Sequence, residues 1–296
     1  MIQARALRKT FGDLVAVEDL SLEIKTGEAF GLLGPNGAGK TTTINMLMGL
    51  LPPDRGQVLI DEKWDPVTPE ARLRLGIAPQ SLSLYEELTA VANLRFFAKL
   101  YGLRGQPLNE RVDWALQFAQ LTDRGRSRVK TFSGGMKRRL NLACALIHDP
   151  QIVLMDEPTV GVDPQSRNHL FECIEQLKRQ QKTILYTTHY MEEAQRLCDR
   201  IAIIDHGRLL AIDTVASLIR DHGGTSVVLA ELHDPPANTP LPGELREGTL
   251  RFESRQPLED ILELKQQGAV FGALQVTQPD LETVFLSLTG RSLRDD

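Results

Sequence analysis

The sequence predicts an α/β domain with a largely parallel sheet, followed by a smaller α+β unit. From Ile2 to about residue 220, short apolar or β-branched runs alternate with amphipathic stretches, a pattern typical of strands joined by crossover helices. After Gly223 and Gly224 the pattern changes to a short apolar run and a polar loop that contains prolines. We therefore expect a domain boundary near residue 222, with one domain over residues 1–222 and a second over residues 223–296.

Short apolar runs predict the strands of the first domain. They suit strands that are buried on both faces, and they lie at residues 29–33, 152–155, 183–187 and 201–204. From about residue 84 to residue 148 strand signals are scarce, and helical periods recur at residues 90–101, 109–121 and 135–147. This segment predicts a helical insert. Thr89 is the expected N-cap of its first helix, without a reciprocal capping box because residue 92 is Ala.

The second domain reads as a small α+β unit. An apolar run at residues 227–232 leads into a polar loop, whose prolines are Pro235, Pro236, Pro240 and Pro242. The chain then predicts a strand at residues 249–252, a helix at 258–267, a strand at 273–276 and a helix at 280–288. Two interpretations of this domain remain open: it adds dimer contacts or regulates the first domain, or it is an extra unit packed on the surface.

The composition restricts the class of protein. With 296 residues and 42% hydrophobic content, the chain can bury a full α/β core. A net charge of −5 disfavours a protein whose whole surface binds nucleic acid. Cys144, Cys173 and Cys198 lack paired spacing, so we expect buried thiols in a reducing cytoplasm.

We expect no signal peptide and no membrane-spanning segment in this sequence. The first residues lack the apolar stretch and cleavage site of a signal peptide. No apolar run approaches the roughly 20 residues that a transmembrane helix needs. Any membrane role is therefore expected to depend on a partner.

A phosphate-binding loop is predicted where a strand candidate meets a helical run that begins near Lys40. The segment Gly34-Pro35-Asn36-Gly37-Ala38-Gly39-Lys40-Thr41 fits GxxxxGK[ST] at every fixed position. Glycines let backbone N–H groups surround a β-phosphate, and the following helix presents its positive dipole end to the same anion. Lys40 is expected to bind the β- and γ-phosphates, Thr41 to ligate Mg²⁺, and Thr42 to donate to the α-phosphate. The alternative is a glycine-rich turn that carries Lys-Thr by coincidence.

A second acidic element follows the apolar strand candidate at residues 152–155. Asp156, at the strand end, can hold Mg²⁺ through water, and Glu157, one residue nearer the γ-phosphate, can act as general base. A strand-ending acidic pair also occurs as a helix N-cap or as solvated loop charges. The pair is therefore informative only together with the phosphate loop.

The segment Phe132-Ser133-Gly134-Gly135-Met136 resembles the signature sequence of the ABC ATPases, usually written LSGGQ. The resemblance covers about residues 2–220, and the motifs follow the family's order: Phe11, the phosphate loop, Gln80, the signature, Asp156-Glu157, Gly161-Val162-Asp163 and His189. It implies a P-loop NTPase fold, with a RecA-like core and a helical subdomain. It also implies an ATPase that uses ATP and Mg²⁺.

The resemblance assigns roles to residues that would otherwise have ordinary structural ones. Ser133, Gly134 and Gly135 precede a helix, whose positive end attracts an anion. In the family this anion is the γ-phosphate of ATP held by a partner subunit, and Asp163 resembles the D-loop acid that crosses the same interface. Without the family, Ser133 would be an ordinary N-cap beside a flexible glycine pair.

Three further residues resemble family positions. His189 corresponds to the switch histidine that contacts the γ-phosphate and positions Glu157 and water. Gln80 corresponds to the Q-loop glutamine that reaches Mg²⁺ and whose loop touches the membrane subunit. Phe11 corresponds to the aromatic residue that stacks on adenine, where the family more often has Tyr. Taken alone, Phe11 would be a core residue, Gln80 a solvated amide and His189 a structural strand-end histidine.

Departures from the family pattern indicate a branch of it. Met136 stands where Gln is usual, which leaves the Ser-Gly-Gly anion site intact. Met136 followed by Lys137-Arg138-Arg139-Leu140 resembles the branch that powers ABC-2-type exporters of drugs, antibiotics, lipids or polysaccharides. The C-terminal segment at residues 280–286 resembles the same branch.

The resemblance implies partners as well as chemistry. It implies a homodimer that holds ATP head to tail, and separate transmembrane permease subunits that place the chain at the inner face of the cell membrane. Direct binding of nucleic acid is not expected. One alternative is a soluble ABC ATPase that acts on nucleic acid or ribosomes, although such relatives generally carry two ATPase units or a long coiled coil. Another is a regulator that holds ATP without turnover, against which Glu157 and His189 argue.

Overall fold

The structure is a computed structural model that describes residues 1–234 and 240–290. Its backbone divides into two compact units between Val215 and Ala216. The boundary expected near residue 222 lies at the far end of a single helix, Val215–His222. Gly223 and Gly224 terminate this helix.

The first unit contains strands and helices in alternation. Its strands are β1 (Ile2–Phe11), β2 (Leu14–Ile24), β3 (Ala29–Leu33), β4 (Arg55–Ile60), β5 (Leu75–Ala78), β6 (Ile152–Asp156), β7 (Thr183–Thr188), β8 (Arg200–Asp205) and β9 (Arg208–Thr214). Its helices are α1 (Lys40–Leu47), α2 (Pro69–Arg72), α3 (Ala90–Leu100), α4 (Gly105–Phe118), α5 (Gly134–Ala145), α6 (Pro164–Arg179) and α7 (Met191–Leu197).

The main sheet of the first unit has the strand order β5-β6-β7-β3-β8-β9. Strands β5 to β8 run parallel, and β9 pairs antiparallel with β8. Strands β3, β6 and β7 are buried along their whole length, as continuous apolar runs in a sheet covered on both faces require. The predicted α/β class is confirmed, and the four predicted strands lie within β3, β6, β7 and β8.

One edge of this sheet gathers the polar motifs. The register of β6 on β7 pairs Asp156 with Thr187, and the register of β3 on β7 pairs Leu33 with Thr188. Because these strands are parallel, the loop after β3, the acidic pair at the end of β6 and the residue after β7 lie at the same sheet edge.

A separate antiparallel sheet with the order β2-β1-β4 was not among the predicted elements. Its alternation of buried and exposed residues is interrupted in β1, where the register shifts between Ala4 and Leu7 and Ala6 has a φ of 50°. Such a bulge breaks the period of two by which an amphipathic strand is identified in a sequence. Phe11 ends β1.

The predicted helical insert contains α3, α4 and α5. Helix α3 follows its N-cap Thr89, whose Oγ1 accepts a hydrogen bond from the Ala92 N–H at 3.1 Å, as expected. Helix α4 begins and ends earlier than its apolar periodicity at residues 109–121 indicates. Its first residue is Gly105, which has a left-handed backbone (φ 59°). Gln120, also left-handed (φ 54°), prevents the helix from continuing. Helix α5 likewise ends at Ala145, before residue 147.

The second unit contains α8 (Val215–His222), β10 (Ser226–Asp234), β11 (Glu244–Arg246), β12 (Thr249–Ser254), α9 (Pro257–Gln266), β13 (Val270–Thr277) and α10 (Leu281–Thr289). Its antiparallel sheet has the order β11-β12-β10-β13. Val228, Ala230, Leu250, Phe252 and Leu264 form its core. The predicted strands and helices lie at these positions, whereas β11 was not predicted. Pro235 and Pro236 of the predicted loop lie outside the described residues.

The three cysteines are free and buried, as predicted. Burial raises the pKa of Cys173 to about 11 and that of Cys198 to about 12, so both thiols are protonated near neutral pH. None of the helices in the described part of the chain combines the length and apolarity that crossing a bilayer requires.

Candidate nucleotide-binding site

The phosphate loop, residues 34–41, connects β3 to α1. Gly39 has a φ of 98°, and a Cβ there would come within 2.4 Å of the Ala16 carbonyl oxygen. Only glycine suits this conformation and this close approach, which brings the loop against β2. Lys40 then starts α1, so the N–H groups of the first helical turn point toward the loop. The arrangement fits the binding of a phosphate group.

Lys40 is buried and surrounded by acceptors. Its Nζ lies 2.9 Å from Oε1 of Glu157, and the two side chains are 4% and 8% exposed. The same Nζ donates hydrogen bonds to the carbonyl oxygens of Gly34 at 2.8 Å and Pro35 at 2.9 Å. A phosphate that binds Lys40 therefore has to compete with Glu157 for the ammonium group.

Asp156 accepts hydrogen bonds at both carboxylate oxygens. The Thr41 hydroxyl donates to Oδ2 at 2.9 Å, and the Thr187 hydroxyl donates to Oδ1 at 2.6 Å. Two of the predicted metal residues, Thr41 of the phosphate loop and Asp156 of β6, are thus in direct contact. Hydroxyl and carboxylate oxygens are the donor types that Mg²⁺ takes beside a nucleotide, so these residues fit the ion.

Glu157 occupies the centre of the site with a strained backbone. Its φ is 42°, in the left-handed region that non-glycine residues rarely adopt. Its Oε1 lies 3.4 Å from Nδ1 of His189, and its Oε2 accepts a hydrogen bond from Nε2 of Gln80 at 3.3 Å. The structure therefore brings Lys40, Gln80 and His189 to this one carboxylate.

Opposing effects act on the pKa of Glu157. Burial favours the neutral carboxyl and raises the pKa, whereas the hydrogen bond and charge of Lys40, with His189, lower it. The lowering prevails, so the pKa lies below its usual 4.5. The carboxylate is therefore ionised near neutral pH.

A cleft of about 420 Å³ opens in front of the phosphate loop. Among the predicted residues it is lined by Phe11, Asn36, Gly37, Gly39, Lys40, Thr41, Thr42, Gln80 and Glu157. Phe11 is 49% exposed, which rules out the core interpretation and leaves its ring accessible for stacking. Ala16 of β2 and His206, in the turn between β8 and β9, also line the cleft. Neither was predicted, because no local pattern links these segments to the phosphate loop.

The signature residues lie at a different place in the first unit. Ser133 caps α5, and its Oγ accepts a hydrogen bond from the Met136 N–H at 3.3 Å. Asp163 caps α6 in the same way, through the Ser166 N–H at 3.0 Å. Among the described residues, those that line the cleft do not include Ser133, Gly134, Gly135 or Asp163. One chain therefore does not bring the signature to its own phosphate loop.

Arg138 was noted in the sequence only as part of a branch pattern. In the structure its guanidinium donates to the carbonyl oxygen of Gln80 and, at 3.2 Å, to that of Val160. It thereby joins α5 to the Gln80 loop and to the segment after Glu157. Residue 138 lies one helical turn after the signature, and this spacing is the sequence signal that could have identified Arg138 as part of the site.

We expect Gly135→Ala to lower the unfolding free energy by about 1–3 kcal/mol, as overpacking does. A Cβ at residue 135 would lie 2.2 Å from Cβ of Ser166, which cannot move without shifting α6. Gly134→Ala is the matched control, since the nearest atom to its Cβ would be the Gly161 oxygen at 4.0 Å. Urea unfolding measures both. Equal stability of the two variants contradicts the packing argument. Adding Ser166→Gly to Gly135→Ala should recover the lost unfolding free energy.

Comparison with known proteins gives a consistent set of relatives. A family model described as ABC transporter matches residues 17–160. The linearmycin resistance ATP-binding protein LnrL of Bacillus subtilis is 41% identical over 314 residues, covering 100% of both chains. The Nod factor export ATP-binding protein I of Cupriavidus metallidurans is 43% identical over 303 residues, covering 100% of this chain and 99% of that protein. The similarity therefore extends over both compact units.

Solved structures agree with the sequence relatives. A structure described as the ATP binding subunit of an ABC transporter is 33% identical, with a TM-score of 0.68, over 75% of this chain and 93% of that one. A dimeric ATP-binding cassette in a post-hydrolysis state with ADP and Pi is 26% identical, with a TM-score of 0.65, over 72% of this chain and 98% of that one.

Proposed function

Because the chain belongs to the ABC transporter family of ATP-binding proteins, we propose that two copies of it sandwich MgATP and thereby move the separate membrane subunits of an exporter. The chain is an ATP-binding subunit and an ATPase of this family. The pairing of two copies, the magnesium ion, the membrane subunits and the direction of transport are what we add. In this proposal residues 1–222 form the ATPase domain and residues 223–296 an accessory domain.

The observation that carries the dimer is the separation of two half-sites within one chain. The phosphate-loop cleft contains Lys40, Thr41 and Glu157, whereas the helix start at Ser133 is not part of its lining. A second copy can supply its Ser133-Gly134-Gly135 helix start to the γ-phosphate of the first, and in a two-fold dimer the exchange is mutual. The dimeric cassette found with ADP and Pi supports this assembly.

Residue roles follow from the contacts at the sheet edge. Lys40 holds the β- and γ-phosphates, and Phe11 provides a face for adenine. Thr41, Asp156 and Gln80 would hold Mg²⁺. When bound, Mg²⁺ would neutralise charge on the phosphates. Glu157 accepts a proton from the attacking water. His189, whose Nδ1 lies 3.4 Å from Oε1 of Glu157, orients Glu157 and the water. Gln80 contacts Glu157 and links the site to its own loop.

The shared-site dimer predicts complementation between two inactive variants. Lys40→Met disables the phosphate loop of its own chain, and Gly134→Asp places a negative charge where the partner's γ-phosphate must bind. The space around residue 134 is open, so the aspartate should not disturb the fold. Each variant alone should be inactive as an ATPase. In a mixed dimer both defects fall in one site and the other site is intact, so activity should return to a substantial fraction of wild type.

Phosphate release from a one-to-one mixture measures this complementation. The control is a chain that carries both substitutions. When it is mixed with either single variant, every site of the mixed dimer contains at least one defect, so no activity should return. Absence of recovery in a mixture that demonstrably contains mixed dimers contradicts the shared site.

The membrane partner is proposed from a groove in the first unit. A cavity of about 640 Å³ is lined mainly by apolar side chains from β5, α3, α5, the segment after α1 and the Gln80 loop, including Leu50, Ile77, Pro79, Phe97 and Tyr101. Leu50 is 64% exposed. Exposed apolar surface of this kind suits a helical segment of another protein. Its contact with the Gln80 loop provides a route from the ATP site to a membrane subunit. The relatives named for linearmycin resistance and Nod factor export support an exporter.

We expect Leu50→Glu to abolish co-purification of hydrophobic membrane subunits from detergent-solubilised membranes. A buried carboxylate in an apolar interface has no partner, whereas in the free protein it stays in water and the isolated ATPase activity should persist. Leu258→Glu, at a residue that is 72% exposed on α9, is the matched control and should leave the membrane subunits bound. Recovery of nucleic acid or ribosomal proteins instead of polytopic subunits would favour the soluble alternative.

A further inference from the structure

Strand β7 ends in two consecutive threonines that serve opposite sides of the sheet. Thr187 and Thr188 are 0% and 1% exposed. The Thr187 hydroxyl contacts the acidic pair after β6, whereas the Thr188 hydroxyl donates to Oε2 of Glu193 at 3.0 Å and accepts from the Tyr190 N–H at 2.9 Å. This division follows from the alternation of side chains along a strand. Two adjacent buried residues of the same type thus have different partners.

The Thr187 hydroxyl bridges the two acidic residues. An ionised carboxylate only accepts hydrogen bonds, so the single hydroxyl proton must go to Oδ1 of Asp156, 2.6 Å away. The lone pairs of the same oxygen then accept the backbone N–H of Glu157 at 2.9 Å. One atom therefore fixes the side chain of Asp156 and the backbone of Glu157 together.

The backbone of Glu157 needs such support. A left-handed non-glycine residue, here at φ 42°, persists only where its surroundings hold it. In the part of the chain that the structure describes, the Glu157 N–H has two acceptors, both from Thr187: Oγ1 at 2.9 Å and the carbonyl oxygen at 3.2 Å. This conformation directs the side chain to Lys40, Gln80 and His189. Without the hydroxyl, one of the two acceptors that hold it is missing.

We propose that Thr187 is a positioning residue for ATP hydrolysis, which orients the metal-binding carboxylate of Asp156 and the base Glu157 through a single hydroxyl group. The inference rests on the roles proposed above for these two acids. Thr187 contacts neither nucleotide nor water in this scheme and acts only through its neighbours. Its loss should therefore affect turnover and Mg²⁺ dependence more than the affinity for ATP.

The experiment compares Thr187→Val, which keeps the shape but removes the hydroxyl, with Thr187→Ser, which keeps the hydroxyl. Steady-state ATPase activity is measured against ATP and against MgCl₂. We expect Thr187→Val to lower kcat or to raise the Mg²⁺ concentration for half-maximal activity by about 10–100-fold, as loss of a hydrogen-bond partner of a metal ligand does. The KM for ATP should change far less, and Thr187→Ser should remain close to wild type. If Thr187→Val does not fold, Thr187→Cys takes its place with the same expectation.

Thr188→Val is the matched control. It also removes a buried hydroxyl with two hydrogen bonds, so it tests for a purely structural loss, and it should leave the Mg²⁺ dependence unchanged. A wild-type kcat and Mg²⁺ dependence for Thr187→Val, equal defects in Thr187→Ser and Thr187→Val, or the same Mg²⁺ shift in Thr188→Val would each overturn the proposal. Glu157→Gln is measured in parallel: normal turnover there refutes the proposed base, whereas a strong defect there with normal Thr187→Val refutes only the role of Thr187.

Discussion

Glu157→Gln should lower ATP turnover by about 10²–10⁴-fold, the range associated with loss of a general base, and should leave MgATP bound. The amide matches the carboxylate in size and can still offer an oxygen to Lys40, but it cannot accept a proton from water. Binding depends on the phosphate loop, which the substitution does not alter. Because a bound triphosphate then persists, the ATP-dependent dimer should also accumulate.

Single-turnover phosphate release, nucleotide binding by calorimetry and gel filtration with MgATP measure these three effects. Glu175→Gln is the control: this carboxylate is 39% exposed and pairs with Arg196 at 3.1 Å on the surface. It should turn over ATP like wild type. Near-normal turnover in Glu157→Gln would show that another group activates water.

Lys40→Met should weaken MgATP binding by about 10²-fold or more, which corresponds to the loss of charge-assisted hydrogen bonds worth about 3 kcal/mol. The methionine fills most of the buried space but cannot donate to a phosphate. Calorimetry or displacement of a fluorescent nucleotide measures the change. Retention of tight MgATP binding would show that the phosphate loop does not bind the nucleotide.

The same variant should also show how the site depends on pH. In wild type the pKa of Glu157 is lowered, so the stabilisation from its pair with Lys40 is fully present above about pH 4.5 and is lost as the pH falls through the lower folded value. In Lys40→Met the cation is gone and burial raises the pKa. The unpaired carboxylate should cost roughly 3–5 kcal/mol near neutral pH.

Acidification should reduce this deficit, because Glu157 then becomes protonated at its raised pKa. Urea unfolding of both proteins between neutral and mildly acidic pH measures the difference. The double variant Lys40→Met/Glu157→Gln has no buried charge to leave unpaired, so it should recover stability without recovering nucleotide binding. If both variants are equally unstable at every pH, the buried ion pair is not the cause.

Motifs that are contiguous in the chain were predicted with their correct elements. The phosphate loop lies between β3 and α1 and the acidic pair lies at the end of β6, because both depend on short-range rules for strands and glycines. The signature, identified by its resemblance to the ABC ATPases, caps α5. The ends of helices were predicted less well. The apolar period of α4 continues to residue 121, but the left-handed Gln120 ends the helix earlier.

Contacts between distant segments were not predictable in the same way. From the sequence, Phe11 could be a core residue or a residue that stacks on adenine, and only its exposure in the structure distinguishes the two. His206 lines the cleft and Arg138 contacts the Gln80 loop because separate elements pack together. The antiparallel sheet of β1, β2 and β4 was not predicted, because a bulge in β1 interrupts its alternating pattern. The consecutive threonines at the end of an otherwise apolar strand were visible in the sequence. Nothing local indicated that Thr187 faces the acidic pair and Thr188 faces Glu193.

The sequence by itself determined the fold class, the phosphate loop and the acidic pair, since these follow from local periodicity and spacing, and its resemblance to the ABC ATPases indicated the remaining groups at the site. The tertiary structure decided which groups meet. The register of β6 on β7 places Thr187 beside Asp156, and the left-handed turn at Glu157 directs its carboxylate to Lys40 and His189. These contacts join residues far apart in the chain, and such distances depend on strand order and packing, which a one-dimensional pattern does not contain.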